Sequence, residues 1–224
     1  MTTSEQQLNE LNGYADRQRA DIAEQGTPAW LAERVGHITA SRFKDVMDTL
    51  KSGKPGAKKL GYRKELVVER ITGRAIEHFV SKDMECGTAL EPMARIAYEA
   101  HTGAMVDQCG FLHHTSIQWV GGSPDGLVDD DGMIEIKCPR STTHIETMLT
   151  DECEYTAQIQ GLLWITGRKW CDYVSFDPEM PEGLQLYVRR IVRDDEYIAA
   201  LSDEIKNELA EVSYMVSQLN ERVK

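Results

Sequence analysis

No two cysteines in this chain have the Cys-x-x-Cys spacing, and the five present (Cys86, Cys109, Cys138, Cys153, Cys171) are an odd number. That excludes a zinc site or thiolate-bound cluster built on paired cysteines, and it predicts a reduced, cytoplasmic protein without a disulfide framework. Long apolar runs are missing too, and the polar start Met1-Thr-Thr-Ser-Glu-Gln-Gln is unlike a signal peptide, so no membrane role is expected. The six histidines show no ligand spacing, and adjacent His113 and His114 would point to opposite faces of a strand. Positive charge is scarce: 25 Lys and Arg face 37 Asp and Glu, a net charge of -12, which at first argues against nucleic acid.

The charge is unevenly distributed. Between Arg34 and Arg74 eleven basic residues meet four acidic ones, a surplus of seven that leaves -19 for the rest of the chain. Such a segment can face phosphates while the acidic remainder keeps the protein soluble; a solvated lysine-rich loop at 51–59 is the competing explanation. With 224 residues and 41% hydrophobic content, one domain with a full core is expected over residues 26–224. Residues 1–25 read as a polar extension. No internal repeat or low-complexity segment is present.

Residues 117–139 organise the chain. Two apolar-rich runs, Ile117–Val128 and Met133–Pro139, flank the acidic turn Asp129-Asp-Asp-Gly132 and predict an antiparallel hairpin. Alternation puts Glu135 and Lys137 on one face and Ile134 and Ile136 on the other. With a loop of 129–131, Asp125 falls opposite Glu135; slightly different loops place it opposite Ile136 or Lys137. Pro124 is expected at a bulge or an edge, where its missing N–H does no harm. Two carboxylates and a lysine at one point of a sheet suit Mg²⁺ or Mn²⁺, held by carboxylate oxygens, water and substrate phosphate. The lysine would orient or deprotonate water, or offset phosphate charge. Asp followed at a loose spacing by Glu/Asp-x-Lys arises by chance roughly once in a chain this long; the hairpin setting gives the pattern its weight.

Upstream, Thr27-Pro28 opens a helix that carries Trp30, Leu31 and Arg34 and ends at Gly36. A second helix is expected from Thr39 to about Leu50. Ser41 in its first turn would place Arg34, Thr39 and Ser41 around one phosphate, with plain capping as the alternative for Thr39. Lys51–Lys59 is a basic loop followed by a helix from about Gly61 to Thr72. Thr88 and Glu91 fit a capping box opening a helix to His101, so Glu91 is either part of a cap or a group projecting toward the hairpin. Met105–Leu112 and Ile117–Val120 read as strands. A helix from about Glu152 to Ile165 carries Gln158 and Gln160, each needing a partner. Strands at Trp170–Phe176 and Leu184–Val192 and an acid-capped amphipathic helix after Asp194 complete a mixed sheet of about five strands flanked by helices.

In this order the chain resembles a PD-(D/E)XK nuclease, and more narrowly the phage-lambda-type alkaline exonucleases, viral recombinases that resect DNA ends. The matching segments are Trp30…Arg34-Val-Gly-His-Ile-Thr-Ala-Ser41, Gly87…Glu91, Ser123-Pro-Asp-Gly126, Glu135-Ile-Lys-Cys-Pro139 and Tyr155-Thr-Ala-Gln158. The resemblance implies an α/β nuclease core acting as an Mg²⁺-dependent 5′→3′ exonuclease on double-stranded DNA. It implies two Mg²⁺ ions, with Mn²⁺ able to substitute, at Asp125, Glu135 and the Ile136 backbone carbonyl, assisted by Glu91. Lys137 would position or activate water, held by Gln158. Arg34, Thr39, Ser41 and Ser123, with Lys51 nearby, would bind the 5′-phosphate and DNA, and Met84 would wedge the duplex end. It further implies a homotrimeric ring, a single-strand annealing partner, and a phage or prophage origin in a bacterial host. A restriction-type endonuclease, a junction resolvase, or a catalytically idle DNA-binding or partner-recruiting module are the alternatives.

Overall fold

The computed structural model describes residues 23–77 and 81–223, the side chain of Met84 excepted. Most of the expected extension, residues 1–22, and the expected Met84 wedge therefore lie outside the described residues. Thr27 caps helix α1 (Pro28–Arg34), its hydroxyl accepting from the Trp30 N–H at 3.3 Å. A short strand β1 (Ile38–Thr39) follows, then a 3-10 turn (Ala40–Arg42) and a single turn of helix α2 (Phe43–Val46). The expected helix from Thr39 to Leu50 is thus broken up, and Thr39 makes no side-chain cap bond. Its N–H is taken by the buried Tyr62 hydroxyl at 3.1 Å, which ties the segment to helix α3 (Ala57–Thr72).

Helix α3 begins four residues before the expected position because Asp48 replaces a cap: its Oδ2 accepts from the Lys58 N–H at 2.9 Å. Helix α4 (Lys82–Thr102) also starts early, so Thr88 and Glu91 lie within it and form no capping box. A helix interior has its N–H groups already bonded, which leaves the Glu91 side chain available for other work.

The main sheet has five strands in the order β2 (Val106–Asp107), β5 (Gly126–Val128), β6 (Gly132–Lys137), β7 (Trp170–Phe176) and β8 (Leu186–Val192). Strands β6 and β7 are parallel and the other neighbours antiparallel. A second sheet joins β1, β4 (Val120–Gly122) and β3 (Leu112–His113). The expected single strand Met105–Leu112 is therefore two short strands in different sheets. The chain changes sheet again between β4 and β5, at Ser123-Pro124-Asp125. Proline has no N–H for a ladder, and here the ladder breaks.

The hairpin pairs Val128 with Gly132 and Gly126 with Ile134, so residues 129–131 form the loop. Asp129 adopts φ +46, a left-handed conformation that aspartate tolerates. Arg168 pins the turn by donating to the carbonyls of Asp129 (2.8 Å) and Gly132 (2.5 Å). Gly132 is required for room, because a Cβ there would run into the Trp170 ring.

Helices cover both faces. Ile134, Ile136, Val174 and Phe176 pack on Ala94 and Tyr98 of α4. Met133, Cys171 and Tyr173 pack on the opposite side with α2, α3, helix α6 (Thr156–Thr166) and helix α7 (Asp195–Glu221). Helix α5 (Ser141–Thr150) leads into α6, which starts at Thr156 rather than Glu152.

Helix α7 docks its apolar stripe, Leu201, Ile205 and Val212, on its own domain. Its acidic side changes the expectation for the basic segment. Lys59 pairs with Glu204 at 2.6 Å, and Arg63 pairs with the fully buried Glu208 at 2.7 Å and with Glu211 at 3.0 Å. Arg42 pairs with Asp45 and Glu65. Part of the surplus positive charge therefore holds helices together instead of facing phosphates. Removing one partner of a buried pair strands the other in a poor solvent. Glu208→Ala should cost about 3 kcal/mol, the lower end of the range for a broken buried pair because Glu211 stays bonded to Arg63. Urea unfolding of the two proteins checks this.

Candidate active site on the central hairpin

The observed register extends to place Asp125 opposite Glu135, the arrangement expected for a loop of 129–131. Asp125 Oδ2 accepts from the Ile136 N–H at 2.6 Å, across the hairpin. Glu135 lies on the α6 side of the sheet and is 1% exposed. Its Oε1 accepts from Lys137 Nζ at 2.6 Å and from Gln158 Nε2 at 2.5 Å. Its Oε2 is buried and has no partner among the described residues. Gln158 thus meets the hairpin as expected, through Glu135. Gln160 instead bridges the Val192 carbonyl and the Asp194 N–H, closing the junction of β8 and α7.

The cluster is electrostatically crowded. Burial, and then the charge of Asp125, push the Glu135 carboxyl above the ordinary carboxylate range, against the pull of Lys137. Burial also raises Asp125, against the pull of Lys137 and the Ile136 N–H. On α4, Glu91 is pushed up to about 7 by burial and by Asp125, while Lys137, Arg95 and the Thr88 hydroxyl oppose the rise. Burial pulls the Lys137 pKa down, but Glu135 and Asp125 outweigh it and hold it above its ordinary value. Beside two carboxylates the ammonium is a proton-bearing donor, suited to orienting water and offsetting phosphate charge.

Hard oxygen donors that cost this much to bury fit a divalent cation. The strongest sign is Glu135 Oε2, an acceptor without a donor in the protein interior, where an unmet polar atom costs about 1–3 kcal/mol. Among the described residues no three Asp, Glu, His or Cys side chains stand close enough to hold an ion by themselves. The two hairpin carboxylates with a backbone oxygen would fit an ion that keeps water and substrate oxygens in its shell. Ile136 and Lys137 share one cavity wall with Glu91, Asp177 and Arg140.

Arg34, Thr39 and Ser41 do converge. They line a cavity of about 200 Å³ with Trp30, His37, Tyr62, Glu65 and Glu69. The Arg34 guanidinium stacks 4.2 Å over the Trp30 ring, and burial lowers its pKa. The Thr39 and Ser41 hydroxyls lie 3.3 Å apart. Ser123 joins them through Trp30, whose Nε1 donates to Ser123 Oγ at 2.9 Å. Trp30 also lines a cavity of about 680 Å³ holding Glu91, Asp125 and Arg95, so one indole separates the two sites. Lys51 is exposed on the 47–56 loop and lines neither cavity.

Three contributors went unassigned in the sequence. Tyr155, which the sequence offers only as part of the Tyr155-Thr-Ala-Gln158 segment, presents its ring 4.8 Å from Lys137 Nζ. Arg95, one helical turn past Glu91, faces both Glu91 and Asp125; that i,i+4 spacing was the available signal. Gln25, at the end of the expected extension, bonds Asp125.

A mixed sheet with helices on both faces, and an Asp, Glu and Lys cluster at the Pro-broken hairpin, is the layout of a PD-(D/E)XK nuclease. Residues 29–169 match the profile of the YqaJ-like viral recombinase domain. The chain belongs to that family, the viral recombinases that include the phage-lambda-type alkaline exonucleases. It is similar to the alkaline exonuclease LHK-Exo of Laribacter hongkongensis, with 41% identity, a TM-score of 0.82, and coverage of 88% of this chain and 98% of that one. The structure of LHK-Exo in complex with dAMP matches equally well. A phage related exonuclease of Haemophilus somnus 129PT shares the fold at 16% identity and a TM-score of 0.61, covering 84% of this chain and 96% of that one. The uncharacterized protein R354 of Acanthamoeba polyphaga mimivirus is 23% identical over 168 residues, 68% of this chain. The chain spans only 29% of that relative's length. No helix among the described residues is long and apolar enough to cross a membrane.

Without a cation, Lys137 is the main charge compensating Glu135 and Asp125. Lys137→Met should therefore destabilise the metal-free protein by about 2–3 kcal/mol, somewhat below the full cost of breaking a buried pair because Gln158 and the Ile136 N–H remain. Denaturant unfolding in the presence of a chelator gives this number.

Proposed function

We propose that this chain is an Mg²⁺-dependent 5′→3′ exonuclease that degrades one strand of linear double-stranded DNA from a 5′-phosphorylated end. The remaining 3′ single strand would enter annealing-type recombination, with a single-strand annealing protein as partner and a homotrimeric ring as the working assembly. The observation that carries the reading is the pair of adjacent sites: a carboxylate cluster with an unmet buried oxygen, and an Arg34–Thr39–Ser41 pocket across Trp30. Cutting an internal bond needs no receptor for a terminal phosphate, so a neighbouring anion pocket favours an end-directed enzyme over an endonuclease.

Asp125 and Glu135, with the Ile136 carbonyl, would hold Mg²⁺, and Glu91 would assist through water. Two such ions, for which Mn²⁺ could substitute, would supply charge stabilisation to the attacking and leaving oxygens of an in-line hydrolysis. The protein's own groups do the rest. Glu135, itself held by Gln158, fixes Lys137, whose ammonium, seated on Tyr155, orients the attacking water and faces the phosphodiester charge. Arg34 and the two hydroxyls fix the strand end, and so the polarity, by charge-assisted hydrogen bonds.

Linear and covalently closed duplex, incubated with Mg²⁺, give the first test. Nucleotides should be released from the linear form alone, and cutting of the closed circle would point to an endonuclease. Asp125→Asn should abolish release while duplex binding persists, because it removes a ligand charge but no phosphate contact. Calorimetric titration with Mn²⁺ should show the loss of ion binding independently of turnover. Arg34→Ala should lower the preference for 5′-phosphoryl over 5′-hydroxyl ends roughly 10- to 150-fold, the worth of a charge-assisted bond. Lysine should restore only part, since it lacks the planar fork.

A further inference from the structure

The phosphate pocket has two walls from distant parts of the chain, and one side chain joins them. The first wall is the turn after α1, Arg34 to His37. The second is the segment after α3, where Ala75 and Ile76 line the same cavity. Glu69, in the last turn of α3, reaches both. Its Oε2 accepts from the Gly36 N–H at 2.8 Å, and its Oε1 accepts from the Ile76 N–H at 3.1 Å. The next residue completes the hold on the first wall: Arg70 Nε donates to the Gly36 carbonyl at 2.9 Å and stacks 4.5 Å over Trp119. Gly36 has φ +72, and a Cβ there would come within 2.8 Å of the Arg70 side chain, so the turn can sit this close to α3 only as glycine.

Both polar groups of Gly36 are thus held by consecutive residues of one helix, two positions from Arg34. Glu69 touches neither the hairpin carboxylates nor Lys137, and it spends both oxygens on backbone. Its carboxylate also stands within electrostatic reach of Arg34. An acid beside a phosphate receptor opposes anion binding, so its presence here needs a geometric reason, and the double bridge supplies one.

We propose that Glu69 is a positioning residue for the terminal phosphate: it sets the spacing of the pocket walls and thereby the discrimination between 5′-phosphoryl and 5′-hydroxyl ends. This rests on the exonuclease reading above. The full chain and its Glu69→Gln variant are titrated, without divalent cation, into fluorescein-labelled blunt duplexes carrying a 5′-phosphate or a 5′-hydroxyl. Glutamine keeps one acceptor and turns an N–H toward the other donor, which frees one wall. The ratio of the two Kd values, followed by anisotropy, should fall about tenfold, as for one lost charge-assisted bond. With Mg²⁺, the loss should appear in KM for 5′-phosphoryl ends more than in kcat. Glu69→Asp keeps the charge but is too short to span both N–H groups, and it should lose discrimination too. An unchanged ratio in Glu69→Gln, full discrimination in Glu69→Asp, or a loss confined to kcat would each overturn the inference. A wild-type chain that ignores the 5′-phosphate overturns the exonuclease reading instead, whereas wild-type discrimination that survives both variants overturns only the role of Glu69.

Discussion

Two carboxylates facing each other across a buried strand pair repel, and each loses the water that would otherwise solvate it. Much of this structure answers that constraint around Asp125 and Glu135. The Ile136 N–H is aimed at Asp125, Lys137 and Gln158 share one oxygen of Glu135, and Tyr155 lies beneath the ammonium. The compensation stops one atom short, at Glu135 Oε2. A protein selected for stability alone would not leave it so, since an apolar replacement is often as stable as a buried ionic group. Strain of this kind concentrates where function requires it.

The scaffold explains why the cluster can be held at all. Its strand β6 runs in the interior of the sheet, paired with β5 over residues 132–134 and with β7 over residues 132–137, so the ladder to β7 leaves Glu135 and Lys137 little backbone freedom. Arg168 ties the hairpin turn through backbone carbonyls, and Trp170 fills the space above Gly132. Helices from both faces then bring single side chains to the same point: Gln158 from α6, Glu91 and Arg95 from α4. The break at Pro124 frees the strand to leave one sheet and join the other, which turns Ser123 toward Trp30 and Asp125 toward Glu135.

Charge tells a parallel story. The chain is acidic overall, yet several of its basic residues are used to dock α3 against α7. Arg34, stacked on Trp30 in the cavity it shares with Thr39 and Ser41, is recruited by aromatic packing and a turn clamped from α3. Counting basic residues along a segment therefore overstated the surface available to DNA, because a count cannot distinguish a lysine that meets a phosphate from one that meets a neighbouring helix.

The hairpin and the meeting of Asp125, Glu135 and Lys137 were legible in the sequence, while the structure chose its register from the three that the turn allowed. These depend on period-two alternation and a short turn, both local properties of the chain. The cap at Thr27, the strand at 170–176 and the acid-capped last helix were legible for the same reason. What only the tertiary structure decided are the features set by partners far apart in sequence. Asp48 starts α3 early, and Tyr62 takes the Thr39 N–H and breaks up a helix that local propensity favours. Helix α4 extends back past Thr88, so Glu91 faces the hairpin instead of capping. Glu69, an unremarkable helical acid by pattern, joins residues 33 positions before it and seven after. Local sequence determines which elements form and which face each side chain takes; the packing of helices against the sheet determines which side chains meet, because those contacts depend on the fold and leave no periodicity to read.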